Sequence, residues 1–541
     1  MPGANMKADR RTALGLGAAA VAAAGGGLAY ALGHRPALPP GKLGGADMAR
    51  GHRLRDGDFP APSVERDVDL VIAGGGVAGL SAGWRLADAG FTRFQLLELE
   101  DEVGGNARSG RNPVSAYPLG AHYLPVANRE ARALQHLLRQ LGMITGDRDG
   151  VPVYDPAQLC ADLQERLFWQ GRWQEGLIPR TGLATQDRED LAAFNRAMDG
   201  FSKRVGSDGK PAFAVPSAYS SRDPALTALD GQDFAAWLDA QGWHSSVLRA
   251  HVRYAMRDDY GTEPHAVSAW AGIHYFAARR GWAANGAGEN ELTWPEGNGR
   301  LAARLAGFFP DNIARGHIVH RIARDGDRVL VDSFDVAANR TVRTRARAAI
   351  LAMPHFVAAR VCPELGDARA FSYAPWLVAN VTVDRLPGGR GVPLAWDNVS
   401  SSSDSLGYVV ATHQGPAAVT SGTVLTWYLP LSNMEPAAAR RLLVERSADE
   451  WKRIVTDDLL ALHPELDGAI REIALWRWGH AMIRPTPGFL DRGQAHQPQP
   501  PLFLAHSDLS GLSLFEEAHY HGVRAAEGAM ALLHHPHESL L

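Results

Sequence analysis

Four successive changes of hydrophobic rhythm near the start of the chain set the first expectation. Val68 to Ala73 is a short apolar run with the length of a buried parallel strand. Gly74-Gly75-Gly76-Val77-Ala78-Gly79 interrupts it, and apolar residues then recur at helical spacing from Leu80 to Ala89, with Gly90 as the stop. Phe94 to Leu97 predicts a second strand, which ends at Glu98. Farther along, Asp230 to Leu248 and Ser268 to Arg280 carry helix-like apolar spacing, in a stretch that is otherwise Trp-rich and without strand–helix alternation. Strands are predicted around 316–336 and 348–353, then at Val378 to Val383, Leu406 to Ala411 and Val424 to Leu429. Pro436 to Leu462 predicts helix. The expected fold class is α/β. One domain is assembled from 66–150, 285–372 and 476–541, and an α+β domain from 151–284 and 373–475 is interleaved with it.

The glycine run is where this pattern acquires chemistry. It fits G-x-G-x-x-G between a strand and a helix. Gly74 permits a tight turn, Gly76 lets backbone approach a pyrophosphate, and Gly79 lets helix pack closely on strand. Val77 and Ala78 open the helix, whose free N–H groups and positive dipole end face the phosphates. Glu98 stands where an acid accepts hydrogen bonds from ribose hydroxyls. The order of strand, glycines, helix, strand and acid predicts a dinucleotide site.

Composition narrows the rest. The 541 residues carry a formal net charge of −4, so no broad basic surface for nucleic acid is expected. Cys160 and Cys362 are too few for a disulfide framework, and neither His-x-x-x-His nor CxxC spacing occurs, so no metal site is expected. At the N-terminus, Arg10-Arg11 precedes a moderately apolar run from Thr12 to Leu32. Residues 1–33 have the composition of a twin-arginine export signal, with Ala29-Tyr30-Ala31 as a candidate cleavage site. The competing reading is an uncleaved membrane anchor, since about 20 residues suffice to span. Residues 34–65, rich in Pro, Gly and charge, read as a linker.

The segment Leu99-Glu100-Asp101-Glu102-Val103-Gly104-Gly105-Asn106-Ala107-Arg108 resembles the L-E-A-x-x-x-x-G-G-R segment of flavin-containing amine oxidases, phytoene desaturases and protoporphyrinogen oxidases. In this chain Asn106 and Ala107 intervene before Arg108. Tyr117 to Tyr123, Trp294 to Leu301 and Ala349 to Pro354 resemble further blocks of that superfamily. The resemblance implies a Rossmann-type FAD-binding domain and an α+β substrate domain. It places FAD against Gly104, Gly105, Arg108 and the backbone of Val319. It also implies Asp508 or the adjacent Ser507 at the ribityl chain, and Gly522 and Val523 at the C-terminal cofactor motif.

The reaction implied is loss of a hydride equivalent from a C–N or C–C bond of a small substrate, with reoxidation by a quinone or oxygen. The alternative is a flavin-binding protein with a structural or assembly role. Two family features are missing: no lysine lies between Lys210 and Lys452, and Leu514 stands where an aromatic-cage tyrosine belongs. His480, His506 and His519, with Glu516, Glu517 and His521, are candidates to replace them, as general base or as donors to the flavin. Otherwise they are ordinary core or surface residues. Trp376, Trp427, Trp476 and Trp478 are candidate pocket walls on the same footing.

Overall fold

Strand Leu70–Ala73 is buried along its whole length and sits at the centre of a parallel sheet. Its neighbours are Phe94–Leu97 and Ala348–Leu351, with Ile313–Ala314 and Leu502–Leu504 at the edges. The near-continuous apolar run follows from burial on both faces. Leu70, Ile72 and Leu96 pack towards helices Val77–Asp88 and Phe515–Leu532, whereas Val71, Ala73 and Leu97 face a second core under the four-stranded sheet that includes His317–Asp325. The computed structural model describes residues 38–286, 290–414, 422–492 and 497–541. The arginine pair and the apolar run after it therefore lie outside the described residues.

The second layer is an eight-stranded mixed sheet. An interior strand, Tyr373–Val383, is buried at all eleven positions between Ile470–Ile483 and Thr423–Pro430. Alternation again sorts the side chains. Leu377, Ala379 and Val381 pack under helices Pro436–Glu445 and Ala448–Leu462, while Ala374, Trp376 and Val378 face the opposite way, with Trp478 and Tyr428. A helical cluster, including Phe234–Ala240, Ser246–Tyr260 and Ala269–Ala277, forms a further core.

Three expectations need correction. Residues 41–65 are not a linker: Leu43–Gly45 adds a parallel edge strand beside Ile470–Ile483, Met48–Asp56 is a helix, and Pro62–Asp67 joins the four-stranded sheet. The glycines there serve close approach, since a Cβ on Gly44 would lie 2.6 Å from the Trp476 ring and one on Gly45 3.0 Å from the Arg477 carbonyl oxygen. The stretch from 151 is not helical at its start. Glu165–Trp169 and Arg172–Glu175 extend the eight-stranded sheet, their apolar residues being too few to show a period. The predicted helix from Asp230 to Leu248 is two helices, broken where Gly242 takes φ +76°.

Candidate functional site

A single cavity of about 460 Å³ runs from the glycine loop to the face of the eight-stranded sheet. Gly74 adopts φ +113°, and a Cβ there would lie 2.3 Å from the Ala352 carbonyl oxygen. A Cβ on Gly79 would lie 1.9 Å from the Gly74 carbonyl oxygen, so both glycines answer to contact. Gly76 differs: a Cβ there would meet nothing within 4 Å, and no side chain caps the helix that Gly76 begins. Open space in front of uncapped N–H groups is what an anionic pyrophosphate needs.

Glu98 closes the loop from the other side. Gly75 N donates to its Oε2 at 2.6 Å and Glu100 N to its Oε1 at 2.8 Å. Burial raises its pKa against the pull of these two amides. The carboxylate keeps lone pairs for the ribose hydroxyls. Gly104 and Gly105, at φ +117° and +55°, and Val319 line the same end. Arg108 is held by Glu100 at 3.3 Å and lies over the rings of Trp476 and Trp478. Asn106, an insertion relative to the family segment, donates to the Ala481 carbonyl. The supposed linker contributes as well: Ala46 and Leu54 are in the wall, and Arg50 ties the helix that carries Leu54 to Leu99 O at 3.0 Å and Asp101 at 2.8 Å. These residues fit a dinucleotide.

Ser507 and Asp508 line the cavity past this end. Asp508 Oδ2 accepts from Tyr373 Oη at 2.6 Å and from His355 N at 2.8 Å. Burial opposes its ionisation, but His506 at 3.1 Å, Tyr373 and the His355 amide hold its pKa below the usual carboxylate range. His506 lines the cavity too, and its Nδ1 accepts from Asp508 N at 3.2 Å. His480 faces the cavity between Phe356 and Tyr373, and the surrounding protein, then Arg440 and His52, push its pKa down to about 4.

His519 is a correction: it lies outside the cavity, 2.9 Å from Ser81 Oγ and against Trp84, and burial takes its pKa to about 4. The helix period explains this, because His519 shares its face with Gly522 and Val523, which packs on helix Val77–Asp88. Gly522 and Val523 are corrected likewise. A Cβ on Gly522 would lie 2.2 Å from the Ala78 carbonyl oxygen, and Val523 is core, so both position the glycine-loop helix without lining the cavity. On the same helix Glu516 is in the wall, while Glu517 is bonded to Ser217 N and Ser510 Oγ, each at 2.6 Å.

The aromatic wall comes from elsewhere. Leu514 does line the cavity, but Trp376, Tyr428, Trp478 and the 120–123 turn surround the same space. Of the four candidate tryptophans, Trp376 and Trp478 are in this wall, and Trp427 is core with its indole N–H on Asp458. His122, read from sequence only as part of a turn, stacks on Tyr428 at 4.7 Å and 26°. Burial takes it to a pKa of about 4 against a hydrogen bond with the Gly120 backbone. Gly297, at φ +56°, fits under this turn, where a Cβ would come within 2.8 Å of Ala121 O. Among the described residues the cavity wall includes no lysine.

A strand–glycine–helix loop opening on an aromatic chamber defines a dinucleotide-binding protein with a second, enclosed compartment beside the cofactor loop. The chain matches the family described as flavin containing amine oxidoreductase over residues 77–530, belongs to it, and takes FAD as cofactor. It is 25% identical over 280 residues to flavin-containing amine oxidase A of Equus caballus, covering 49% of this chain and 47% of that one. The chain thus spans about half the length of the curated relatives it matches. In fold it is similar to putrescine oxidase bound to putrescine (TM-score 0.63, 16% identity, 86% of this chain and 100% of that one). It is also similar to cyclohexylamine oxidase from Brevibacterium oxydans IH-35A, with TM-score 0.61, 18% identity and coverage of 86% and 100%.

Proposed function

We propose that this protein oxidises an amine at the carbon next to nitrogen. The C–H bond breaks, a C=N bond forms, and two electrons leave with two protons. Bound FAD supplies the two-electron acceptor. The observation that carries the reading is the chamber of aromatic rings and carboxylates opening on the cavity that holds the glycine loop. Trp376, Tyr428 and Trp478 exclude water and offer ring faces to a nitrogen centre. His122 stays uncharged at neutral pH and so does not repel an incoming ammonium. The resemblance assigns the missing lysine to oxygen reduction beside the flavin, so a described wall without one favours a quinone or similar carrier as electron acceptor.

Anaerobic mixing of the yellow holoprotein with primary amines tests this. The flavin absorbance is expected to bleach, and a quinone to restore it faster than air does. Bleaching by a polyene but by no amine would move the reaction to a C–C bond. Rapid peroxide formation in air would overturn the acceptor.

We also propose export of the folded protein through the twin-arginine route. Arg10-Arg11 and the run after it support this, as does a cofactor site whose wall is drawn from Ala46 to Ala518, complete only in the folded chain. Arg10→Lys with Arg11→Lys is expected to hold the yellow protein in the cytoplasm. Unchanged fractionation would mark the segment as an anchor or another signal.

A further inference from the structure

We infer that residues 41–59 are a strap fastened over the nucleotide half of the FAD site, and that FAD enters and leaves only while this strap is undocked. The strap crosses between two sheets. Its first part, Leu43–Gly45, is the edge strand beside Ile470–Ile483, paired at Leu475, Trp476 and Arg477, and Leu475 N donates to Lys42 O at 2.8 Å. Helix Met48–Asp56 follows. Phe59 then lies flat on the His320 ring, at 4.1 Å and 5°, and His320 belongs to the strand that carries Val319. Ala46 and Leu54 put this crossing in the cavity wall, beside Glu98, Glu100, His317 and Val319.

Two properties make the strap the part of this wall that opens. The first is how little apolar burial holds it, since none of the nine residues of helix Met48–Asp56 is buried. The strands at the same end are fixed by their ladders. Phe94–Leu97 is paired on both sides, and His317–Asp325 pairs along its length with Arg328–Asp335. Local opening draws on the elements with the least buried surface. The second property is that the strap is held by polar contacts near the surface. Arg50 donates to Leu99 O at 3.0 Å and to the exposed Asp101 at 2.8 Å, and Arg53 lies over the Phe334 ring at 3.9 Å. Ties of this kind are weak singly and screened by salt.

The strap is also joined to the cofactor's own contacts. Asp47 N donates to Glu100 Oε1 at 2.9 Å, and the other oxygen of that carboxylate pairs with Arg108 at 3.3 Å. Glu100 N in turn donates to Glu98, the acid at the ribose end. One carboxylate therefore links the strap to the arginine and to the acid that the sequence assigns to FAD. With the strap docked, Ala46 and Leu54 stand across this end of the cavity, so a dinucleotide lying along the glycine loop is covered by chain on that side. Bound FAD adds surface beneath the docked strap alone, so each favours the other.

A disulfide across the edge strand tests this in the full-length holoprotein. A Cβ on Gly45 would lie 3.6 Å from Arg477 Cβ, inside the about 3.5–4.5 Å that a disulfide spans, and Cys160 and Cys362 are buried. The measurement is exchange of bound FAD for an excess of labelled FAD, which requires both exit and entry. In Gly45→Cys with Arg477→Cys, exchange is expected to be at least ~10-fold slower in the oxidised protein than in the same protein reduced. Gly41→Val works the other way. Gly41 takes φ +131° and a Cβ there would collide with the Ile473 carbonyl, so the start of the strap is forced off the sheet edge. Its FAD should exchange at least ~10-fold faster than in the wild type, and that of Arg50→Ala roughly 3-fold faster. Equal exchange in oxidised and reduced protein, with the bond confirmed by mass, would overturn the strap as the gate. Should the bond not form, Gly41→Val decides, or Arg50→Ala if Gly41→Val does not fold, and exchange at the wild-type rate there would overturn it as well.

Discussion

Glu98→Ala is expected to purify with less than ~10% of the wild-type FAD content after desalting. Two effects add. The ribose loses an anionic acceptor, and hydrogen bonds to a charged group contribute about 1.5–3 kcal/mol each. The loop also loses its clasp, because Glu98 is what Gly75 N and Glu100 N donate to, at 2.6 and 2.8 Å. A net loss of about 3 kcal/mol weakens binding ~100-fold. Glu98→Gln should fall between, since an amide accepts from one of these N–H groups and presents its own N–H₂ to the other. The flavin-to-protein absorbance ratio measures the result, and full retention in Glu98→Ala would remove the residue from the ribose site.

Gly522→Val tests a residue that touches no cofactor. A Cβ at 522 lies 2.2 Å from Ala78 O, 2.9 Å from Ser81 Cβ and 3.0 Å from Ala82 N, so two helices are in backbone contact there. Neither can retreat by a rotamer change. Overpacking of this kind costs about 1–3 kcal/mol, which in a folded unit of this size lowers the melting point by only about 1–3 °C. The larger effect is on FAD, because Ala78 belongs to the helix end that lines the cavity, and displacing it moves the phosphate-facing N–H groups. FAD content is expected to fall at least ~10-fold, with Gly522→Ala intermediate. Gly528→Ala is the control on the same helix, where the nearest atom is the 2.9 Å-distant edge of the Phe503 ring, a side chain that can turn aside. Equal flavin content in Gly522→Val and wild type would show that this contact does not set the loop.

The cofactor end was legible because its physics is local. Leu70–Ala73, the glycines, helix Val77–Asp88 and Phe94–Leu97 are consecutive, and each residue type is required by its immediate neighbours. Glu98, read from the motif, and Gly104, Gly105, Arg108, Val319, Ser507 and Asp508, read from the family resemblance, all lie in one wall. The C-terminal helix was legible only as a helix. Which of its faces meets solvent, core or cavity depends on where helix Val77–Asp88 lies, so Glu516 faces the cavity and His519 the core.

Local pattern could not reveal segments whose partners are distant. Leu43–Gly45 is a strand because the edge of Ile470–Ile483 is open to it, and its glycines are explained by Trp476 and Arg477, more than four hundred residues away. The substrate end is the same problem at larger scale: His122, Asp258, Trp376, Tyr428 and Trp478 come from a turn, a helix and three strands. The sequence by itself determined the fold class and the cofactor, because a nucleotide loop is a short-range object. Only the tertiary structure decided which rings and carboxylates surround the far end of the cavity, because that wall is assembled from positions with no spacing in common.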